Sequence, residues 1–410
     1  MRILHTSDWH LGRTLHGVDL VAHQGAFLDH LVEVVRSERV DAVLVSGDVY
    51  DRAIPPVDVV ELLTDALLRL TEHTRVVITP GNHDSATRLG FAAPLFRERL
   101  AVRARVEDLA VPVCLPSADG GLGALVYPLP YLDPDTTRHR LAGPETDADG
   151  TPVVPARSHD AVVAAALRRV RADLAARRAD GPRVPAVVMA HAFVVGGAAS
   201  ESERDIRVGG VDSVPLEVLT GDHGPAATPD YVALGHLHGP QRVGPDHDPG
   251  RPGPLARYSG SPLAYSFSEM HHTKSSVLVD LGPAGVERIE LVPTPCPRRL
   301  SEATGTLAEL LSPAFDAQAE DWVRVAVTDT VRPRDLYAQV KARFPHALVV
   351  QHRPAVPLTG GPARAVTPAQ DPLEVAAEFV QEVSGAAPTE AEAAVLRRAY
   401  EAALAAERSA

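Results

Sequence analysis

Residues Met1–Gly12 read MRILHTSDWHLG, a short apolar run that ends abruptly in Asp8-Trp9-His10. Arg2–Thr6 has the composition of a buried strand. If the backbone stays extended beyond it, a carboxylate and an imidazole two residues apart project from one face. That spacing suits a chelate, but a single D-x-H also occurs at the polar end of an ordinary strand. What separates the two is whether other strand ends supply matching donors.

Four further runs read as buried strands: Asp41–Val45, Arg75–Thr79, Ala186–Ala190 and Tyr231–Gly235. The first continues into Ser46-Gly47-Asp48, the second into Pro80-Gly81-Asn82-His83, the third into His191 and the fourth into His236-Leu237-His238. Glycine before a donor lets the chain turn sharply and brings backbone close to whatever is bound. In an α/β sheet, groups beyond the carboxyl ends of the strands converge on one crevice. Asp8, His10, Asp48, Asn82, His191, His236 and His238 are therefore expected to meet. Any one of these histidines alone would be an ordinary capped or buried polar group; donors at every one of these strand ends are not. So many nitrogen and oxygen donors exceed the needs of one ion with an open position and suit two ions sharing a carboxylate. With no thiolate and several imidazoles, the set favours Mn²⁺ or Fe²⁺ over Mg²⁺. His5, His16, His23, His30, His73, His271 and His272 fall outside this pattern and read as structural or surface residues.

At 410 residues the chain has room for two or three domains, and 45% hydrophobic with 23% charged residues is a soluble globular composition. No apolar run is long enough for a membrane span and no secretory signal pattern opens the chain, so a cytoplasmic protein without membrane contact is expected. Cys114 and Cys296 form no C-x-x-C, which argues against a disulfide framework and a thiolate metal site. A net charge of −13 counts against a simple nucleic-acid coat. It leaves room for a nucleic-acid enzyme whose bound metals bring positive charge. Lys274 and Lys341 are the only two lysines, so most cationic contacts would fall to arginine.

Residues 1–282 alternate strands with helical stretches at 24–39 and 57–73, the pattern of a layered α/β domain. Pro, Gly and Asp crowd 133–156 and 239–254, which read as loops. An Ala/Arg-rich helix is expected from Asp160 to Arg178, its arginines forming a solvated face. Beyond 282, Trp322–Thr328, a helix from Pro333 to Phe344 and Ala347–Gln351 read as a β-α-β unit, giving a second, α+β domain over 283–360. Residues 361–410 read as linker and two helices. Asp371 with Pro372 and Glu374 caps the first, and Thr389 with Glu392 caps the second.

The order D-x-H, G-D-x-x-D, G-N-H-D, a lone His and G-H-x-H resembles the calcineurin-like metallophosphoesterases. Ser200-Glu-Ser-Glu-Arg204, Tyr231–His238 and Tyr258-Ser-Gly-Ser-Pro262 are similar to one branch, the SbcD-type nuclease subunits of bacterial SbcCD complexes. The resemblance implies a layered metallophosphoesterase β-sandwich flanked by helices, a small α+β capping domain that helps engage DNA, and a C-terminal helical pair. It implies that Asp8, His10, Asp48 and His238 hold one metal and Asp48, Asn82, His191 and His236 the other, with Asp48 bridging. Ala190 precedes His191 where many members carry glycine, a change that leaves the ligand in place. His83 would face the phosphate as a cation or a proton donor, and Asp51 would accept from its other ring nitrogen. The implied activity is two-metal hydrolysis of DNA, as double-strand exonuclease and single-strand endonuclease, on ends and hairpins in repair and recombination. The alternative is a calcineurin-like phosphatase or phosphodiesterase acting on non-DNA phosphoesters; a scaffold that has lost its metals is disfavoured because every ligand is present. DNA, a second copy of the chain and an SbcC-like ATPase are the implied partners. The chain itself lacks a G-x-x-x-x-G-K-[ST] loop. The terminal helices, with Phe379, Val380, Val383, Leu396, Tyr400 and Leu404, are the expected docking element for that ATPase.

Overall fold

Strands that are apolar at every position must be covered on both faces, and the structure covers them twice over. The computed structural model describes residues 1–410 except 97, 144–149, 151, 180, 204–212, 222, 245–253, 355–370, 385 and 408–410. Met1–Leu300 forms one unit and Ser301–Ala410 another.

The first unit contains two six-stranded sheets. One runs in the order Gly285–Pro293, Ser275–Gly282, Arg2–Thr6, Ala42–Ser46, Arg75–Thr79, Leu100–Val102. The other runs Gln241–Val243, Leu255–Tyr258, Tyr231–Gly235, Ala186–His191, Leu122–Pro128, Val113–Pro116. Alternation along each strand sorts the side chains between two layers. Ile3, Ala42, Leu44 and Val77 pack with Val126, Val187, Met189 and Ala233 in a core shared by both sheets. Leu4, Val43, Val45 and Ile78 instead pack with Phe27 and Leu31 of helix Val21–Ser37 and with Leu63 and Leu70 of helix Val57–His73. Val188, Ala190, Val232 and Leu234 do the same with helix His159–Ala179. The result is the helix-flanked β-sandwich that the motifs imply.

Arg2–Thr6, Ala42–Ser46 and Arg75–Thr79 are mutually parallel, as are Ala186–His191 and Tyr231–Gly235. Their carboxyl ends therefore lie along one edge of each sheet. His5 ties the sheets together, with Nδ1 3.0 Å from the Tyr231 hydroxyl and Nε2 3.2 Å from the Leu234 carbonyl. That is the structural role expected for it.

Two expectations change. The first unit runs past 282 to 300, because Gly285–Pro293 pairs along its length with Ser275–Gly282 and completes the sheet. The arginines of helix His159–Ala179 are not simply solvated. Arg169 donates to the carbonyls of Arg140 and Ala142, Arg171 to that of Val218, and Arg178 to those of Val184, Pro225 and Thr228.

Beyond Leu300, where the first unit ends, the strand Leu300–Gly305 continues into the second unit and forms a three-stranded sheet with Trp322–Val327 and Ala347–His352, the last two strands parallel. Helix Leu336–Arg343 connects them, and Val323, Val325, Leu336, Val340 and Phe344 form the core. Helices Pro372–Ser384 and Glu390–Glu407 contact each other, and Thr389 and Glu392 exchange main-chain-to-side-chain bonds as a capping box. The linker expected before them lies outside the described residues from 355 onward, as does the side chain of Leu404.

Buried Asp230 is the anchor between helix His159–Ala179 and the second sheet. Its carboxylate accepts from Arg178, from Arg183 and from the Ala186 amide. Asp230→Ala leaves the Arg178 guanidinium buried without its counter-charge, which should destabilise the unit by about 3–5 kcal/mol. The expected readout is a lower urea midpoint at unchanged slope.

Candidate metal centre

Beyond Thr6 the chain does not stay extended. Asp8 and His10 adopt φ of 54° and 43°, in the left-handed region, and Asp48 and His236 have φ of 50° and 104°. Such conformations cost a residue with a Cβ about 1–3 kcal/mol and persist only where surrounding contacts impose them. Here the contacts are explicit. The amides of Asp8, His10 and Leu11 donate to the carbonyls of Gly47, Asp48 and Val49 at 3.0, 2.9 and 2.9 Å. The Asp84 carboxylate accepts from the amides of Val49, Tyr50 and Gly81 at 3.0, 2.9 and 2.9 Å, bracing the Asp48 turn against the Asn82 turn.

Three glycines let these turns approach each other. A Cβ on Gly47 would run into the His191 ring, one on Gly81 into the Asp48 carboxylate, and one on Gly235 into the Ser46 carbonyl. Gly47 and Gly81 stand directly before Asp48 and Asn82, where the sequence pattern places a sharp turn.

All of the expected ligands come together. His10 Nε2 lies 3.1 Å from His238 Nε2 and 3.6 Å from Asp48 Oδ2. Across the site, His191 Nε2 is 3.4 Å from the same Asp48 oxygen and 2.9 Å from Asn82 Oδ1. His236 Nδ1 is 3.2 Å from that Asn82 oxygen. Asp48 thus stands between a group formed by Asp8, His10 and His238 and one formed by Asn82, His191 and His236. Donor atoms of Asp8, His10 and His238 lie within 4.8 Å of one another, as do those of Asp8, Asp48 and His191, and those of His10, Asp48 and His83. The donor chemistry fits divalent cations. Two imidazole nitrogens face each other at 3.1 Å, Asp8 and Asp48 are both buried, and the described thiols, Cys114 and Cys296, are exposed and free.

The electrostatics follow from burial and from these pairings. Burial opposes ionisation of Asp48, but the rings of His191, His10 and His83 hold its carboxyl well below the usual carboxylate range. Burial likewise opposes protonation of His191, but Asp48 and Asp8 raise it to about 9. Burial pushes His10 and His236 well below the normal imidazole range, which leaves them neutral and able to donate lone pairs. Burial raises Asp8 to about 6 against the pull of His191 and His238.

Asp51 departs from expectation. His83 Nδ1 donates to its backbone carbonyl at 2.7 Å, not to its carboxylate. The carboxylate turns instead toward Arg13 Nε at 3.7 Å and His10 Nδ1 at 3.8 Å, because the Asp51 amide bonds back to the Leu11 carbonyl and sets the residue beside the 8–13 segment. The sequence pattern missed Ser202, Glu203, Glu269 and Lys274, which surround His238; Ser202 and Glu203 lie in the quoted S-E-S-E-R run, but no spacing signals Glu269 or Lys274.

If Asp48 bridges, Asp48→Ala should lose both ions, whereas Asp51→Ala should retain them. Elemental analysis showing two equivalents still bound to the Asp48 variant would overturn the bridging assignment.

Residues 1–240 match the family model of the calcineurin-like phosphoesterases, and residues 296–384 match one described as Type 5 capsule protein repressor C-terminal domain. The Bacillus subtilis (strain 168) protein named as the SbcD subunit of the nuclease SbcCD is 38% identical over 295 residues, covering 69% of this chain and 67% of its own. Its namesake in Rhodobacter capsulatus is 35% identical over 364 residues, 84% of this chain and 81% of its own. The one in Escherichia coli (strain K12) is 32% identical over 329 residues, 78% and 74%. Likeness of that extent, carried by a sandwich that gathers the family's motifs at one edge, makes the chain a member of the calcineurin-like phosphoesterases, in the family of the SbcD nuclease subunits.

Proposed function

We propose that the protein is the metal-dependent DNA nuclease subunit of an SbcCD-like complex. It would act as a double-strand exonuclease and single-strand endonuclease on DNA ends and hairpins. The observation that carries this reading is the convergence of Asp8, His10, Asp48, Asn82, His191, His236 and His238 in a chain that aligns with 81% of a relative named as such a nuclease. Asp8, His10, Asp48 and His238 would hold one divalent ion and Asp48, Asn82, His191 and His236 the other. The imidazole-rich set favours Mn²⁺ or Fe²⁺ over Mg²⁺. Such a pair of ions supplies hydroxide near neutral pH and neutralises charge on the phosphoryl oxygens.

The chain's own contribution beyond the ligands is His83. Its amide donates to Asp48 Oδ1 at 2.8 Å, and its Nδ1 is fixed as a donor by the Asp51 carbonyl. That leaves Nε2 as the atom able to give a proton to the leaving oxygen or to face the phosphate as a cation. Asp51 then acts through the placement of its main chain. His83→Gln should bind metal and DNA nearly as wild type and cut about a hundredfold more slowly; cleavage at the normal rate would remove His83 from the mechanism.

The α+β unit would help engage DNA, and the terminal helices would dock an SbcC-like ATPase, since unwinding a duplex end costs stacking and pairing energy that hydrolysis at the metal site does not supply. On those helices Phe379, Val383 and Val395 are exposed, while Val380, Leu396 and Tyr400 are half-buried. A homodimer belongs to the same reading, as the resemblance implies. So does a cytoplasmic location; none of the described helices is long and apolar enough to cross a membrane. Deleting residues 371–410 should abolish co-purification with the ATPase and any ATP stimulation, while leaving Mn²⁺-dependent cleavage of single-stranded DNA intact. A truncated chain that still forms the complex with unaltered affinity would make the helices structural only.

A further inference from the structure

One buried cluster outside the ligand set brings together the Ser200–Glu203 run and one of the chain's two lysines. Lys274 is one of two lysines in the chain, and it is buried. Its ammonium donates to the Glu269 carboxylate, to Ser261 Oγ at 2.9 Å and to the His238 carbonyl at 2.8 Å, which uses all of its hydrogens. A compact ammonium meets three acceptors arranged around it, as a planar guanidinium does not. Glu269, also buried, meets the hydroxyl of Ser202, and Ser202 Oγ lies 2.6 Å from His238 Nδ1.

The direction of each hydrogen follows. A carboxylate beside an ammonium offers only lone pairs, so the Ser202 hydroxyl hydrogen points at Glu269. The Ser202 oxygen is then left to accept, and His238 Nδ1 must carry a hydrogen. Nε2 is left with its lone pair, aimed to where His10 Nε2 stands 3.1 Å away. Glu203 completes the cradle: one oxygen accepts from the His238 amide at 2.8 Å, and the other accepts from the amide and hydroxyl of Ser200, both at 2.7 Å.

We infer that Lys274, Glu269 and Ser202 form a positioning relay that fixes the tautomer and orientation of His238. The relay thereby sets the affinity of one half of the metal centre separately from the other. This rests on His238 being a metal ligand, as proposed above. The opposite half is fixed differently, since His191 gives its Nδ1 hydrogen to the Ser46 main-chain carbonyl at 2.9 Å, which no side-chain substitution removes.

Two measurements on the full-length protein test this. In the metal-free wild type, ¹⁵N-histidine spectra under alkaline conditions, with the His238 signals assigned by their loss in His238→Gln, should show hydrogen on Nδ1. In Mn²⁺ titrations followed by electron paramagnetic resonance, Ser202→Ala should bind one ion as wild type and the other about 10–100-fold more weakly. Ser202→Thr, which keeps the hydroxyl, should restore the second ion. The relay is refuted if the wild-type hydrogen sits on Nε2, a result that holds even should Ser202→Ala fail to fold, or if Ser202→Ala binds both ions as wild type. Retention of both ions by His238→Gln would instead overturn the ligand assignment itself, and the relay with it.

Discussion

The structure depends on how closely two sheets approach at the carboxyl ends of their parallel strands. At Gly235 no side chain separates them. The Ser46 carbonyl lies where a Cβ on Gly235 would be, the Ser46 hydroxyl donates to the Ala233 carbonyl at 3.0 Å, and His191 donates to Ser46 from the other sheet. The Asp8 carboxylate likewise accepts from the His236 amide at 2.9 Å across the same junction. The spacing of the two ligand groups is therefore set by the main-chain approach of Gly235 to Ser46 and by short side-chain-to-main-chain hydrogen bonds, which are stiffer than any arrangement of long side chains.

That closeness explains where strain collects. Asp8, His10, Asp48 and His236 all have positive φ, although none is glycine. Each sits within a few residues of a strand end, where the chain must turn to aim a donor at a point between the sheets. The helices on one side and the opposing sheet on the other supply apolar burial large enough to hold such turns. The acidic turn residue Asp84 adds hydrogen bonds to main-chain amides that would otherwise be unpaired at this edge.

The same burial governs the charges. Ionised carboxylates and imidazoles are costly in a dry site unless each has a partner. Asp48 and His191 meet this cost by opposing each other, and His10 and His236 meet it by staying neutral. Divalent cations would satisfy the remaining lone pairs. Bound ions would then bring positive charge to where the phosphate reacts, in a chain of net charge −13.

The sequence by itself picked out the residues that meet at this edge, because each donor ends an apolar strand or stands within a few residues of its end, and several strand ends repeat the arrangement independently. It also determined the capped helices near the C-terminus and the parallel β-α-β unit, since capping boxes and apolar periodicity are local signals. Only the tertiary structure decided the backbone at Asp8 and His10, which turns left-handed where an extended chain is the local expectation, because pairing with residues 47–49 imposes it. It likewise gave the His83 contact to the main chain of Asp51, packed the Ala/Arg helix through its arginines, and carried the first unit on to Leu300. Glu269 and Lys274 stand far along the chain from His238 with no periodic or motif spacing to betray them. Their proximity comes from chain folding around the strand Ser275–Gly282, a long-range constraint that no local pattern encodes.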